Sequence, residues 1–256
     1  MIHKTAIVHP KAQLAEDVEI GPYTVIGENV KIGKGTSIGP HVVIEGWTEI
    51  GEENQIFQFA SIGSSPQHAK YQGEPTRLKI GNRNIIREFA TMNIGTEGGE
   101  GITILGDDNF FMAYSHLAHD CIVGNNTIFA NSATLAGHVI VEDFAILGGL
   151  AAIHQFVRVG SLAMVGAGSM VSQDVPPYTL AVGDRAKLYG LNLIGLKRRK
   201  FPEETILKLK RAYRVVFNSK LKLSEAIKTV REKFADTPEV NNFIDFIANS
   251  KRGICR

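Results

Sequence analysis

Four histidines, His116, His119, His138 and His154, fall in one stretch of the chain, and His119 is followed directly by Asp120. An imidazole with one nitrogen held by a carboxylate keeps the other free to take a proton near neutral pH, so this pair suits a general base acting on a hydroxyl. No serine or cysteine is placed as a covalent nucleophile, which favours direct transfer over a triad. The same imidazoles admit a second chemistry, because three of them with one open position would make a catalytic zinc site of the hydratase kind. Against it, His119 and Asp120 look paired for proton transfer, and two long interruptions nearby suggest a bulky substrate. Arg198 and Arg199, within Gly195-Leu196-Lys197-Arg198-Arg199-Lys200, have the fork geometry to clamp a diphosphate. They read equally well as a basic helix end set against the helix dipole. Lys70 is open to the same two readings.

The element that must position these groups is a repeat. Every sixth residue from Leu105 is large and apolar: Phe111, Leu117, Val123, Phe129, Leu135, Val141, Leu147, Ile153, Val159, Val165 and Val171. A helix of 3.6 residues per turn drifts off this period, and a plain strand alternates every two. A strict six marks the hexapeptide β-helix, whose coil turns three corners in about 18 residues. Folded at that length, Leu117, Leu135, Ile153 and Val171 stack along one side of a triangular prism. His116 and His119 flank Leu117, His138 follows Leu135, and His154 follows Ile153, so all four lie on or beside that side, about 4.8 Å apart per coil. Gly137 stands one coil after His119, which makes its backbone a neighbour of that ring.

The N-terminal half carries the same period from Ile2 through Val8, Leu14 and Ile20 to Ile62, with glycine often next in line and small or β-branched residues such as Thr24, Thr36 and Ala60 four places on. The aliphatic side chains fill the prism, the small ones fit beside them, and glycine is expected at the corners. Burying each aliphatic residue stabilises the coil by roughly 1.5–3 kcal/mol. Residues 64–79 and 97–101 leave the pattern as polar excursions, of the kind that covers a binding face. The repeat is expected to stop at Asp174-Val175-Pro176-Pro177-Tyr178, where prolines interrupt strand pairing. Beyond it Pro202, Ser224 and Thr237-Pro238 mark three helix starts. The expected division is a left-handed parallel β-helix over 1–190 and a small helical domain over 191–256 that also covers the open end of the coil.

The chain of 256 residues is 44% hydrophobic and 21% charged, a soluble globular composition, and has no membrane-spanning apolar run or leader pattern. Its two cysteines make no disulfide framework, and Cys121, at a small-residue position of the repeat, reads as a buried free thiol. A cytosolic location is expected. Net charge is +2, but residues 197–256 hold 16 of the 28 Lys and Arg and only 7 of the 26 Asp and Glu. A basic C-terminal end fits an acidic partner, or simply a solvated helical surface.

Several segments together carry a family resemblance: Gln55-Ile56-Phe57-Gln58-Phe59-Ala60-Ser61-Ile62-Gly63, Lys70-Tyr71, Gly73-Glu74-Pro75-Thr76-Arg77, Ala118-His119-Asp120-Cys121, Thr134-Leu135-Ala136-Gly137-His138-Val139, His154-Gln155-Phe156, Gln173-Asp174-Val175-Pro176-Pro177-Tyr178 and Gly195-Leu196-Lys197-Arg198-Arg199. The chain resembles the acyl-acyl-carrier-protein–UDP-N-acetylglucosamine O-acyltransferases, which begin lipid A synthesis in Gram-negative bacteria. The repeat is common to many acyltransferases; the histidine segments and the Gly-Leu-Lys-Arg-Arg segment are specific. The resemblance implies a homotrimer with active sites between subunits. It implies His119 as general base for the sugar 3-hydroxyl, Asp120 orienting it, and the Gly137 N–H stabilising the oxyanion. It places Lys70, His116, His138, His154 and Gln155 against the substrates, and Asn192, Arg198 and Arg199 on the nucleotide. The donor would be a 3-hydroxyacyl chain on carrier-protein phosphopantetheine, with no bound cofactor or metal, no nucleic acid and no stable membrane insertion.

Three positions depart from the family pattern. His68 stands where a sugar-binding acidic residue is common, Ile194 where an acidic residue lies near the uridine, and Asn93 where histidine is frequent. They leave open whether the sugar offers a 3-hydroxyl or a 3-amino group. Ala167 stands where members using longer chains have glycine, so a shorter acyl groove is expected. The competing readings are a later N-acyltransferase of the same pathway, a coenzyme A-dependent transferase, a zinc hydratase and a non-enzymatic β-helical scaffold.

Overall fold

The structure is a computed structural model that describes residues 1–256. The chain winds as a left-handed parallel β-helix whose sheets of 9, 8 and 10 strands are the three walls of a prism. The first sheet runs from Ile7–Val8 to Met170–Val171, the second from Gln13–Leu14 to Arg158–Val159, and the third from Glu19–Ile20 to Thr179–Val182, with Lys187–Leu191 added antiparallel at its end. Register follows the period: Leu117 pairs with Leu135, Leu135 with Ile153 and Ile153 with Val171. In most two-residue strands the first side chain faces outward and the second is buried, as in Val43–Ile44 and His116–Leu117. A two-residue period therefore survives inside each wall of the six-residue one. Phe111 and Phe129 stack at 4.0 Å in the middle of the filled interior, where a pair of aromatic rings replaces the usual aliphatic column.

The glycines act differently from their expected role. The left-handed corner positions are held mostly by other residues, among them Tyr23, His41, Phe89, Asp120 and His138. Gly21, by contrast, has an ordinary φ, yet a Cβ there would lie 2.7 Å from the Gly39 carbonyl carbon of the next coil. Glycine follows the aliphatic residue because adjacent coils touch there, not because the chain turns there. At the corner between the second and third sheets, buried Asn54, Asn84 and Asn109 form a ladder in which each Oδ1 accepts N–H groups from the next coil. The ladder satisfies polar groups that burial would otherwise leave costly.

Both excursions leave at the corner between the first and second sheets. The strand after the first begins at Arg77, earlier than the spacing suggests, because Arg77–Ile80 pair along both Trp47–Ile50 and Ile102–Leu105. The prolines do not end the stack either. They sit in a corner where no ladder donor is needed, and Thr179–Val182 still pairs in parallel with Met164–Val165.

Four helices follow: α1 (Leu193–Arg198), α2 (Glu203–Asn218), α3 (Leu223–Phe234) and α4 (Pro238–Ala248). Helix α3 starts one residue before Ser224, and the Glu225 carboxylate accepts the Lys222 N–H at 3.4 Å. Leu209, Val216, Val230, Phe243 and Ile247 bury against Leu162 and Tyr178 of the last coils. The tail returns to the coil, where Ser250 donates to the Asp174 carboxylate at 2.7 Å and Ile254 bridges Asp174. No helix is long and apolar enough to cross a membrane. Cys121 and Cys255 are both free and buried, and burial pushes their thiols up to about 12 and about 11.

Candidate active site

The corner after the first sheet repeats one turn in successive coils. His119, Gly137 and Gln155 occupy one position of it, and Asp120, His138 and Phe156 the next, which is left-handed in all three. Backbone bonds fix the stacking: the His138 N–H donates to the His119 carbonyl at 3.1 Å, and the Phe156 N–H to that of Gly137 at 3.2 Å. The turn leaves the His119 side chain 12% accessible while the Asp120 side chain beside it is wholly buried.

His119 Nδ1 lies 2.8 Å from Asp120 Oδ2. The carboxylate also accepts the Thr96 hydroxyl at 2.6 Å and the Thr96 N–H at 3.1 Å. Burial alone would push Asp120 up, but the hydrogen bonds from Thr96 and His119 and the nearby His138 outweigh it and hold it below the usual carboxylate range. An ionised Asp120 can only accept, so His119 Nδ1 is the donor in this bond and Nε2 points away from the carboxylate. That edge of the ring rests on Gly137, where a Cβ would come within 2.5 Å of Cε1 and 2.7 Å of Nε2. The Gly137 N–H makes no hydrogen bond within the chain.

Two more imidazoles stand edge-on to His119. The His138 centroid is 5.2 Å away and that of His68, reaching in from the first excursion, 5.3 Å. His138 stacks flat on Phe156 at 4.5 Å. Burial lowers its pKa, and His119 and His68 add to that against the pull of Asp120. His116, on the strand that leads into this corner, lies 2.7 Å from the Thr91 hydroxyl through Nδ1 and is also lowered, by burial and then by His119. His154 and Gln155 are exposed on the following coil, and Lys70 is exposed on the first excursion.

The remaining sequence-derived residues lie at other corners. Asn192 caps α1, accepting the Gly195 N–H at 2.9 Å and donating to the Leu162 carbonyl at 3.0 Å, so its amide ties the helix to the coil. The Arg199 guanidinium lies 3.6 Å above the Phe144 ring, on the corner between the second and third sheets, and Arg198 is exposed beside it. Ala167 is exposed at the third corner, beside left-handed Gly168. Within one chain, the histidines, the arginines and Ala167 do not meet.

Two features escaped the sequence reading. Thr96 and Gly99 of the second excursion close over Asp120, but they lie outside the six-residue frame, so spacing could not place them. An exposed column of stacked rings, Tyr23, His41, Phe59, Phe89 and Tyr114, climbs the corner between the third and first sheets at 4.8–5.3 Å per step. Only Tyr23, His41 and Phe59 keep the 18-residue step, and the excursions hide the places of Phe89 and Tyr114 in the column.

The metal-like donor set is His119, Asp120 and His138, with ligand atoms within 4.8 Å of one another. It holds two imidazoles and a carboxylate rather than three imidazoles. Asp120 already accepts N–H or O–H bonds on both oxygens, which suits an acid–base pair better than coordination.

Residues 174–255 match the family model described as UDP-N-acetylglucosamine O-acyltransferase, domain 2, and residues 1–34 and 102–137 match the bacterial transferase hexapeptide model. The chain is similar to the acyl-[acyl-carrier-protein]–UDP-N-acetylglucosamine O-acyltransferases of Thermodesulfovibrio yellowstonii, at 58% identity, and Thiobacillus denitrificans, at 53%, covering 100% of this chain and 99% of each relative. Among solved structures it is similar to the UDP-N-acetylglucosamine acyltransferases of Francisella novicida (TM-score 0.97, 40% identity, 100% of this chain and 94% of that one) and Campylobacter jejuni (TM-score 0.95, 42% identity, 100% and 99%).

Proposed function

Because this chain belongs to the family of acyl-[acyl-carrier-protein]–UDP-N-acetylglucosamine O-acyltransferases, we propose that it moves a 3-hydroxyacyl chain from acyl carrier protein to the 3-hydroxyl of UDP-N-acetylglucosamine, opening lipid A synthesis, with His119 as general base. His119 Nε2 takes the hydroxyl proton as the sugar oxygen attacks the thioester carbonyl. The Gly137 N–H, free of any protein acceptor, donates to the oxyanion. The C–S bond then breaks, the phosphopantetheine thiolate takes the proton from the imidazolium, and the sugar ester remains. The donor brings its own phosphopantetheine, so no resident cofactor is needed. One observation carries this reading: a buried, ionised carboxylate holds Nδ1 of a partly buried histidine whose other edge lies against a bare glycine.

His68, Lys70, His116, His138, His154 and Gln155 are assigned to the substrates near the dyad, and Asn192, Arg198 and Arg199 to the nucleotide. Because these groups occupy different corners of one chain, a shared site needs neighbouring subunits. The exposed aromatic column, with Tyr23 and Tyr114 each 59% accessible, is a surface for such a neighbour. A homotrimer built from chains with a 1–190 coil and a 191–256 helical domain, working in the cytoplasm beside its acyl carrier partner, accommodates these features.

The test is mass spectrometry of the product made from UDP-N-acetylglucosamine and a mixture of acyl-carrier donors. A 3-O-acyl sugar nucleotide is expected, and His119→Ala should abolish it while light scattering still reports the assembled protein. Full activity in His119→Ala would remove the proposed base. The 3-amino analogue run alongside reads whether His68, in a place where family members often carry an acid, changes the acceptor.

A further inference from the structure

The second excursion is tied to the catalytic dyad through one residue. Thr96 is buried, and its hydroxyl donates to Asp120 Oδ2, the same oxygen that faces His119 Nδ1, while its N–H spans both carboxylate oxygens. Three residues on, Gly99 lies flat against that carboxylate: a Cβ there would be 2.5 Å from both Cγ and Oδ1 of Asp120. The Asp120 N–H is fixed from below by the Thr103 hydroxyl at 2.8 Å, so the backbone is held by the coil and the carboxylate by the excursion.

We propose that Thr96 is a positioning residue for acyl transfer, setting the orientation and charge of Asp120 and through it the direction and basicity of His119. The inference rests on the reading of His119 as the base. A carboxylate at the end of one rotatable side chain can turn away from an adjacent imidazole. Donors from the opposite side fix that rotation and draw charge from the oxygen that His119 uses. Apart from His119, the donors on the Asp120 carboxylate both come from Thr96. The ionisable groups around Asp120 are His119 from its own turn, His138 from the next coil with Nε2 at 3.9 Å, and His68, whose ring lies 5.3 Å from that of His119. The excursion adds Glu97 and Glu100, which line an outer pocket with Glu74 and Arg77.

Thr96→Val keeps the shape and the N–H but removes the hydroxyl. Losing a hydrogen bond to a charged group should lower kcat about tenfold to hundredfold with KM little changed. The charge left on Asp120 concentrates on the bond to His119 and stabilises the imidazolium, so the acidic limb of the pH–rate profile moves to higher pH. Thr96→Ser should restore both. Proton NMR of the His119 Nδ1–H, read without substrate, should shift in Thr96→Val and return in Thr96→Ser. This signal separates the inference from the reading beneath it, since it would move even in a protein that catalysed a different reaction. Gly99→Ala, which lifts the excursion without deleting any donor, should act in the same direction. An unmoved limb and resonance in Thr96→Val would overturn the inference, as would a loss of activity that tracks melting temperature and is not rescued by serine.

Discussion

Gly137→Ala tests the site where its geometry is tightest. Gly137 has an ordinary φ, so alanine brings no backbone strain, and its N–H is retained. The new methyl would come within 2.5 Å of His119 Cε1 and 2.7 Å of Nε2, where ordinary van der Waals contact begins at 3.4 Å. The ring must therefore retreat by about 1 Å, and a misplacement of that size at a reacting group costs about 10²-fold in rate. That is about 2.7 kcal/mol of transition-state stabilisation. The ring cannot tilt freely to escape, because His138 and His68 stand against it and Asp120 holds Nδ1. The assay is kcat for 3-O-acyl product under saturating donor and acceptor, with the melting temperature as a check on folding. Gly98→Ala is the control, since a Cβ there meets nothing within 4 Å. The expected result is a kcat loss of about two decades in Gly137→Ala and none in Gly98→Ala. A Gly137→Ala enzyme within about threefold of wild type would refute the claim that Nε2 of His119 works against this glycine.

Ala167→Gly should move the acyl optimum toward longer chains, because the exposed methyl at the third corner is removed; a ladder of acyl-carrier donors reads it, and an unchanged optimum would refute the assignment. His116, lowered by burial and then by His119, is held neutral in the folded protein while the unfolded chain takes up a proton below about pH 6.5. The stability it contributes is present above that pH and is lost as pH falls through the folded value, so His116→Gln should flatten the slope of melting temperature against pH on the acid side, and a slope equal to wild type would count against it.

How much of this was legible in the sequence depended on whether a residue sat inside the six-residue frame. The filled interior, the coil length, the stacking of His119, Gly137 and His138, and the Nδ1 bond to Asp120 all follow from spacing and adjacency. The corner chemistry did not: period six says which residues face inward but not which φ the turn takes, so glycine was expected where Tyr23, His41 and Asp120 sit. Loops erase the frame altogether. His68 and Thr96 approach the dyad from excursions whose course depends on their own contacts, and Thr96 is 24 residues from the carboxylate it holds. The prolines misled for a related reason, since proline forbids a ladder donor but a corner does not require one.

A solenoid builds a site by using one turn position several times with different side chains. At the first position, His119 supplies the imidazole proposed as base, Gly137 leaves room for its ring and presents a bare N–H, and Gln155 extends the same line outward. At the second, Asp120 is buried under the second excursion, His138 stands edge-on to the His119 ring, and Phe156 backs His138 with a flat face. Each substitution along the stack changes one side chain while the backbone step stays constant, so the proposed base and the proposed oxyanion donor lie one coil apart without a dedicated loop between them. The coil offers partners only above, below and beside, so a group approaching the outer side of Asp120 must come from a chain segment that leaves the wall. The two excursions enter at this corner and at no other, and they deliver His68 to the ring and Thr96 to the carboxylate. The interruptions that break the repeat are thus the part of the chain that turns a stacked corner into a hydrogen-bonded His119–Asp120 pair with a fixed orientation.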